Sequence, residues 1–201
     1  MSPRPDLSTE RRAQIIEAAL ACFTRKGYVH TTMDDIVAES GLSKGSIYWY
    51  FKSKDEILKA AITAIAANVI GEPLNVLQTA GTATTKLRTT AQIMVDFCRE
   101  IAQYFGLLLE FWSQSERNDE EMLFWVEMLP PYQQMIVTIF EDGIRTGEFH
   151  EVDTGALAWM MMAAYDGLAV YNMMIPDMDI DKISKTFIET LLKGLQIDNR
   201  S

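Results

Sequence analysis

Cysteine and histidine are nearly absent: the 201-residue chain has 2 of each. Cys22 and Cys98 lie far apart and supply neither a disulfide framework nor a thiolate quartet for zinc. A reducing compartment, the cytoplasm, is therefore expected. His30 and His150 cannot furnish a Ser–His–Asp or Cys–His set or a His-rich metal site. No catalytic set, metal or cofactor is expected, and the chain reads as something other than an enzyme. With 11 Gly and 6 Pro, it is too poor in both for a collagen-like or low-complexity chain. The opening MSPRPDLSTERR lacks the apolar core of a secretory signal. One apolar run, Gly155 to Pro176, approaches the length of a bilayer span. Asp166 interrupts it, and a mid-membrane carboxylate is costly. A helix buried in a core or an oligomer interface is expected instead, with no membrane contact.

Positive charge is scarce as well. The net charge of −10 argues against a general nucleic-acid binder. The charge is uneven, however. Residues 1–54 hold 8 Lys+Arg against 6 Asp+Glu, or +2, while the remaining 10 Lys+Arg face 22 Asp+Glu, or −12. Such asymmetry points to nucleic acid at the basic end. An acidic body repels phosphate and would confine DNA to one face.

What the chain has in abundance is helical periodicity. Ile15, Ile16, Ala19, Leu20 and Phe23 form one stripe, ended by Gly27. Leu58, Ile62, Ile65 and Val69 form another. Leu87, Ala91, Met94, Cys98, Ile101 and Phe105 step by alternating fours and threes, as on a long packed helix. Leu157, Met161, Ala164, Leu168 and Tyr171 form a later stripe, and Ile180, Ile183, Phe187, Leu191 and Leu195 the last. No convincing period-2 run of β-branched residues is present. The fold class is all-α. Breaks are expected at Gly27-Tyr28, Ser40-Gly41, Phe51 to Ser53, Gly71 to Thr85, Arg117 to Asp119, Pro130-Pro131 and Gly147 to Asp153. The early helices are short and closely spaced, the later ones long and apolar. The chain divides near Ser53: a three-helix head over 1–53 and a helical-bundle body over 54–201.

The stretch Thr31 to Lys54, TTMDDIVAESGLSKGSIYWYFKSK, carries the most information. Thr32 precedes Asp35 by three residues, an acidic variant of the capping box, and Ser53 precedes Glu56 by three, a full capping box. Gly41 suits the left-handed position that ends a helix. Ser43 caps the next one. Ile47 and Phe51, four apart, face the core. This is helix–turn–helix spacing. The other face of the second helix carries Lys44, Gly45, Ser46, Tyr48, Trp49 and Tyr50. Three adjacent aromatics on so short a segment cannot all be buried. Their polar tips are phosphate donors, and Lys44 can reach base edges from the helix N-terminus. Packing against the first helix is the competing reading of the triplet. Lys54 opens the next helix, whose N–H groups attract phosphate.

From about Glu10 to Ala60 the chain resembles the DNA-binding head of TetR-type (tetracycline repressor-like) regulators. The matching pieces are Ile15 to Leu20, Cys22-Phe23, Gly27-Tyr28, Thr31-Thr32, Ile36 to Ala38, Ser40 to Ser46 and Ile47 to Lys54. The Gly143 to Phe149 stretch is also common in that family, and Leu108 to Gln114 is similar to the body of its choline-sensing repressors. The resemblance implies that Lys44, Gly45 and Tyr48 contact bases. It implies phosphate contacts for Thr32, Ser46, Trp49, Tyr50 and Lys54. Tyr50 stands where many members have His, which changes reach but keeps a donor.

The resemblance further implies a homodimer that binds a double-stranded, pseudo-palindromic DNA operator. It implies a repressor released by a small lipophilic inducer. Dimerisation is expected through two long helices, about Thr154–Ile175 and Asp179–Gln196, whose apolar faces are wider than a short body can bury. The body is rich in aromatics and Met, as a packed core or an inducer cavity would be. The candidate pocket residues are Tyr104, Leu108, Phe111, Trp112, Trp125, Met128, Trp159, Met162, Tyr165 and Asp166. Glu110 and Asp166 lie among apolar residues, which makes an organic cation the first-choice ligand class, with a neutral or anionic lipophile such as a fatty acyl compound close behind. Pairing of Asp166 with an Arg or a dimer-mate donor is an equal alternative. Two signals are set aside. Gly41 to Ser46 lacks the Walker spacing and a preceding strand. Asp177, Asp179 and Asp181 lack the Gly and Glu of a calcium loop and read as the acidic start of the last helix. A helical adaptor, or a bundle enzyme without a DNA role, is the alternative to the regulator.

Overall fold

The computed structural model describes residues 7–67, 81–115, 119–175 and 177–197. Among these it is helical throughout, with α1 Leu7–Lys26, α2 Met33–Ser40, α3 Lys44–Tyr50, α4 Lys54–Ala66 and α5 Ala83–Ala102. There follow α6 Phe105–Ser115, α7 Asp119–Arg145, α8 Thr154–Met174 and α9 Ile180–Leu195. An isolated antiparallel bridge, Phe149 to Gln196, is the extended pairing found among the described residues. The expected breaks at Gly71 to Thr85 and Arg117 to Asp119 lie largely outside the described residues.

The chain separates into two compact units. The first runs to Ile65 and also takes in Gly106–Asp119; the second holds Ala66–Phe105 and Glu120 onward. The division expected at Ser53 thus moves to the end of α4. The reason is burial: Ile57, Leu58, Ala61 and Ile62 of α4 are in the core, as are Ile15, Ala19, Phe23, Ile36, Ile47 and Phe51 of the head. Fully burying one such side chain stabilises by roughly 1.5–3 kcal/mol, so α4 cannot leave the head at small cost.

The caps set the head's corners. Thr32 accepts the Asp35 N–H while the Asp35 carboxylate accepts the Thr32 N–H, closing a reciprocal box. Gly41 follows α2 in the left-handed region (φ 67). Ser43 accepts the Ser46 N–H to start α3. At α4, Ser53 accepts the Glu56 N–H as expected, but the Glu56 carboxylate takes the N–H of Lys52 rather than that of Ser53. Gln14 of α1 donates to the Ser40 carbonyl, tying α1 to the end of α2.

In the second unit α5 packs against both α8 and α9. Leu87, Ala91, Met94, Cys98 and Ile101 are buried, the stripe read from the sequence. The Cys98 thiol donates to the Tyr165 carbonyl at 3.3 Å, and burial, reinforced by Asp166, pushes it up to about 12. Asp153 and Asp179 cap α8 and α9. Helix α7 runs through Pro130 and Pro131, where a break was expected. Both prolines are exposed, so water can reach the carbonyls whose donors they remove. No helix among the described residues is long and apolar enough to cross a membrane.

Candidate nucleic-acid interface

Helix α3 splits its residues as a recognition helix must. Ile47 and Phe51 are buried; Lys44, Gly45, Tyr48 and Trp49 are on the outside. Trp49 is 71% exposed and Tyr48 36%. A Cβ built on Gly45 would meet nothing within 4 Å, so the backbone there is open to close approach. Thr32 is exposed at the start of α2. The aromatic triplet divides: Trp49 stands out, while Tyr50 is half-buried edge-on to it at 4.6 Å. Tyr50 also lines a shallow depression of about 320 Å³ with Arg12, Phe51, Glu56, Lys59, Ala60 and Thr63. Ser46 is half-buried.

The head's cations are mostly engaged. Lys44 is 2.7 Å from Asp34, which raises its pKa, and its ammonium sits 6.0 Å from the Tyr48 ring. Lys26 bonds Asp35, Arg25 bonds Glu39, and Lys52 donates to the Tyr48 carbonyl. Arg12 stacks over the Phe51 ring at 4.7 Å. Exposed pairs such as Lys44–Asp34 are screened by solvent and contribute little, so a phosphate or base acceptor can displace the carboxylate.

Lys54 departs from its expected phosphate-facing role. Its ammonium points inward and donates to the carbonyls of Tyr28 (2.7 Å), Thr31 (3.1 Å) and Val29 (3.2 Å). It also lies over the Tyr28 ring at 4.4 Å. Burial lowers its pKa and Glu110 opposes that. The reason is local. The turn after α1 points its carbonyls at the α4 N-terminus, and three charge-assisted bonds outcompete solvent there.

Glu110 also departs from expectation. Read from the sequence as a cation acceptor, it instead takes the N–H groups of Tyr28 and Val29, both at 2.9 Å. No spacing rule pairs residues 82 apart. Asp34 was missed for the same reason, since its partner lies across the helix–turn–helix.

The remaining pocket expectations scatter. The side chains of Leu108, Phe111, Trp112 and Trp125 lie outside the described residues. Tyr104, Met128 and Met162 are half-buried and Trp159 is exposed. Tyr165 is buried in the body core, its hydroxyl 2.7 Å from Ser184. Asp166 is accessible on the surface of α8, yet the surrounding protein pushes its carboxyl above the usual carboxylate range. It makes no ion pair with any described residue, so the expected Arg partner is not found within this chain's described residues.

The sequence pattern of "Bacterial regulatory proteins, tetR family" matches residues 15–61. That of "QacR-like protein, C-terminal region" matches residues 78–197, more than half of the chain. The chain belongs to the TetR family. It is 26% identical over 207 residues to YfiR, an uncharacterized HTH-type transcriptional regulator of Bacillus subtilis (strain 168), covering 96% of this chain and 98% of YfiR. A protein from Saccharomonospora viridis described as a transcriptional regulator, solved with choline, has the same fold: TM-score 0.77, 22% identity, 94% of this chain and 99% of that one. FadR from Bacillus subtilis, solved with stearoyl-CoA, aligns with TM-score 0.74 and 25% identity over 90% of this chain and 98% of its own. This TetR-family chain is thus a transcriptional regulator by family, with a helix–turn–helix head and an all-helical body.

Proposed function

We propose that this regulator binds a pseudo-palindromic operator as a homodimer through α3 and represses transcription until a small lipophilic ligand in the body releases it. The observation that carries the DNA reading is the outward face of α3. It presents Lys44, Gly45, Tyr48 and a largely bare Trp49 while Ile47 and Phe51 anchor the helix. Exposed aromatics with polar tips beside a lysine offer stacking and hydrogen-bond donors together, which suits DNA as the partner.

The homodimer is supported by α8. Ala156, Met160, Ala163, Gly167, Tyr171 and Met174 recur by fours and threes along its outer side. Met160 and Met174 are 65% and 66% exposed in the single chain. An apolar stripe this exposed on one helix is a surface that a neighbouring subunit can cover. Release is a population shift: the ligand must bind the DNA-incompetent state better than the competent one. The ligand class rests on the choline and stearoyl-CoA neighbours and on Asp166, a carboxylate without an ion-pair partner among the described residues. A lipophilic cation is the first choice, a fatty acyl compound the second.

One experiment tests the reading. Operator DNA is selected from a random pool, and filter binding is repeated with Tyr48→Ala and Lys44→Ala. Each variant is expected to lose about 1–3 kcal/mol of operator affinity, the worth of a good base contact. A second arm adds choline or stearoyl-CoA to the complex, with release by one of them expected. Unchanged affinity in both variants would remove α3 from the interface.

A further inference from the structure

The turn between α1 and α2 is held from two sides by opposite charges. Lys54, at the start of α4, takes its carbonyls at Tyr28, Val29 and Thr31. Glu110, from α6, takes its N–H groups at Tyr28 and Val29, one to each carboxylate oxygen at 2.9 Å. Gly27 enters the turn in the left-handed region (φ 78), and Thr31 leaves it buried, its hydroxyl bonded to the Gly27 carbonyl at 2.8 Å. The next residue is Thr32, the cap of α2. The turn therefore joins the start of α2 to the start of α4, and α3 hangs between those two points.

We propose that Glu110 is a positioning residue for operator binding: its carboxylate holds the Tyr28–Val29 amides and thereby fixes the frame from which α3 is presented. The proposal rests on the DNA reading of α3. Glu110 lies outside residues 15–61, the part matching the DNA-binding family pattern. It comes from the Gly106–Asp119 segment, which belongs to the head unit although the chain on both sides of it belongs to the body unit. The head's geometry is thus completed by a residue from far along the chain. A carboxylate accepting two backbone N–H groups makes charge-assisted bonds, about twice the strength of neutral ones. Loss of Glu110 leaves Lys54 and the α4 contacts in place, so the turn loosens without unfolding. DNA contacts that need a fixed α3 weaken. Contacts that need only charge do not.

The test compares Glu110→Gln and Glu110→Asp with the wild-type full chain. Amide hydrogen exchange without DNA is read at Tyr28 and Val29, and binding is read on selected operator and on random-sequence DNA. Glu110→Gln keeps one acceptor and the side-chain length. It is expected to exchange both amides at least 10-fold faster and to bind operator about 10-fold more weakly. Its affinity for random DNA should stay within about 2-fold, since that binding follows charge. Glu110→Asp should fall between. A merely structural role would instead weaken both DNAs together and lower the thermal midpoint. Unaltered exchange at Tyr28 and Val29 overturns the proposal whatever the DNA result. Faster exchange with unchanged operator affinity overturns the positioning role. A wild-type chain that selects no operator defeats the α3 reading itself, and the positioning role falls with it.

Discussion

At the scale of single residues, charge in the head is spent on structure before it is offered to a partner. Lys54 shows this most clearly. Lys54→Met removes three charge-assisted bonds to backbone carbonyls, and urea unfolding is expected to show a loss of about 1–3 kcal/mol. The salt dependence of DNA binding should barely change. A slope reduced by about one per subunit would instead place the ammonium on a phosphate. Asp35 gives a pH signature. The Lys26 hydrogen bond, then those from Thr32, hold its carboxyl down at about 2, against an ordinary 3.8. A depressed carboxylate contributes stability above its unfolded pKa and loses it as protons bind. Wild-type stability should therefore fall between about pH 4 and pH 2 more steeply than that of Asp35→Asn. Chemical unfolding at a series of pH values checks this, and parallel curves would contradict it.

At the scale of elements, the link from α7 to α8 depends on one glycine. Gly143 lies under the Phe149 ring: a Cβ there would overlap the ring and stand 2.9 Å from the Ala83 Cβ. Both neighbours are buried, so neither can swing away. Gly147, with φ 76, then turns the chain so that Glu148 meets the start of α5. Burial pushes the Glu148 carboxyl up, but the Thr84 and Ala83 N–H groups outweigh it and leave it below the usual range. Gly143→Ala is expected to destabilise the body by about 1–3 kcal/mol, as overpacked cores do, with a lower thermal midpoint as the readout. Gly147→Ala strains only the backbone and should cost less. The sequence showed this stretch as a family resemblance; the overlap with Phe149 supplies its physical reason.

At the scale of the whole molecule, the proposed dimer rests on α8. Leu168 and Leu191, the positions first indicated by the apolar stripes, are half-buried, so charge there would damage the fold as well. Met160 and Met174 are better probes, since both are exposed in the single chain. Met160→Glu with Met174→Glu is expected to give folded monomers by sedimentation, with operator affinity strongly reduced because two half-sites need two heads. A wild-type chain that stays monomeric at micromolar concentration would reject the dimer.

Periodicity and local chemistry carried the sequence reading a long way, because they act over a few residues. The 3.6-residue stripes, the Thr32–Asp35 box, the Gly41 turn and the Ser43 cap are all short-range, and each is found where its spacing put it. The all-α class and the outward face of α3 follow from them. The sequence alone could not show which side chains meet across long separations. Glu110 reaching Tyr28, Asp34 holding Lys44, and Tyr165 meeting Ser184 are contacts between elements. So is the inclusion of α4 in the head, where burial of Ile57 and Leu58 outweighs any boundary suggested by a cap. Such pairings depend on where packed helices place their faces. That is a property of the assembled core, and no pattern of neighbouring residues encodes it.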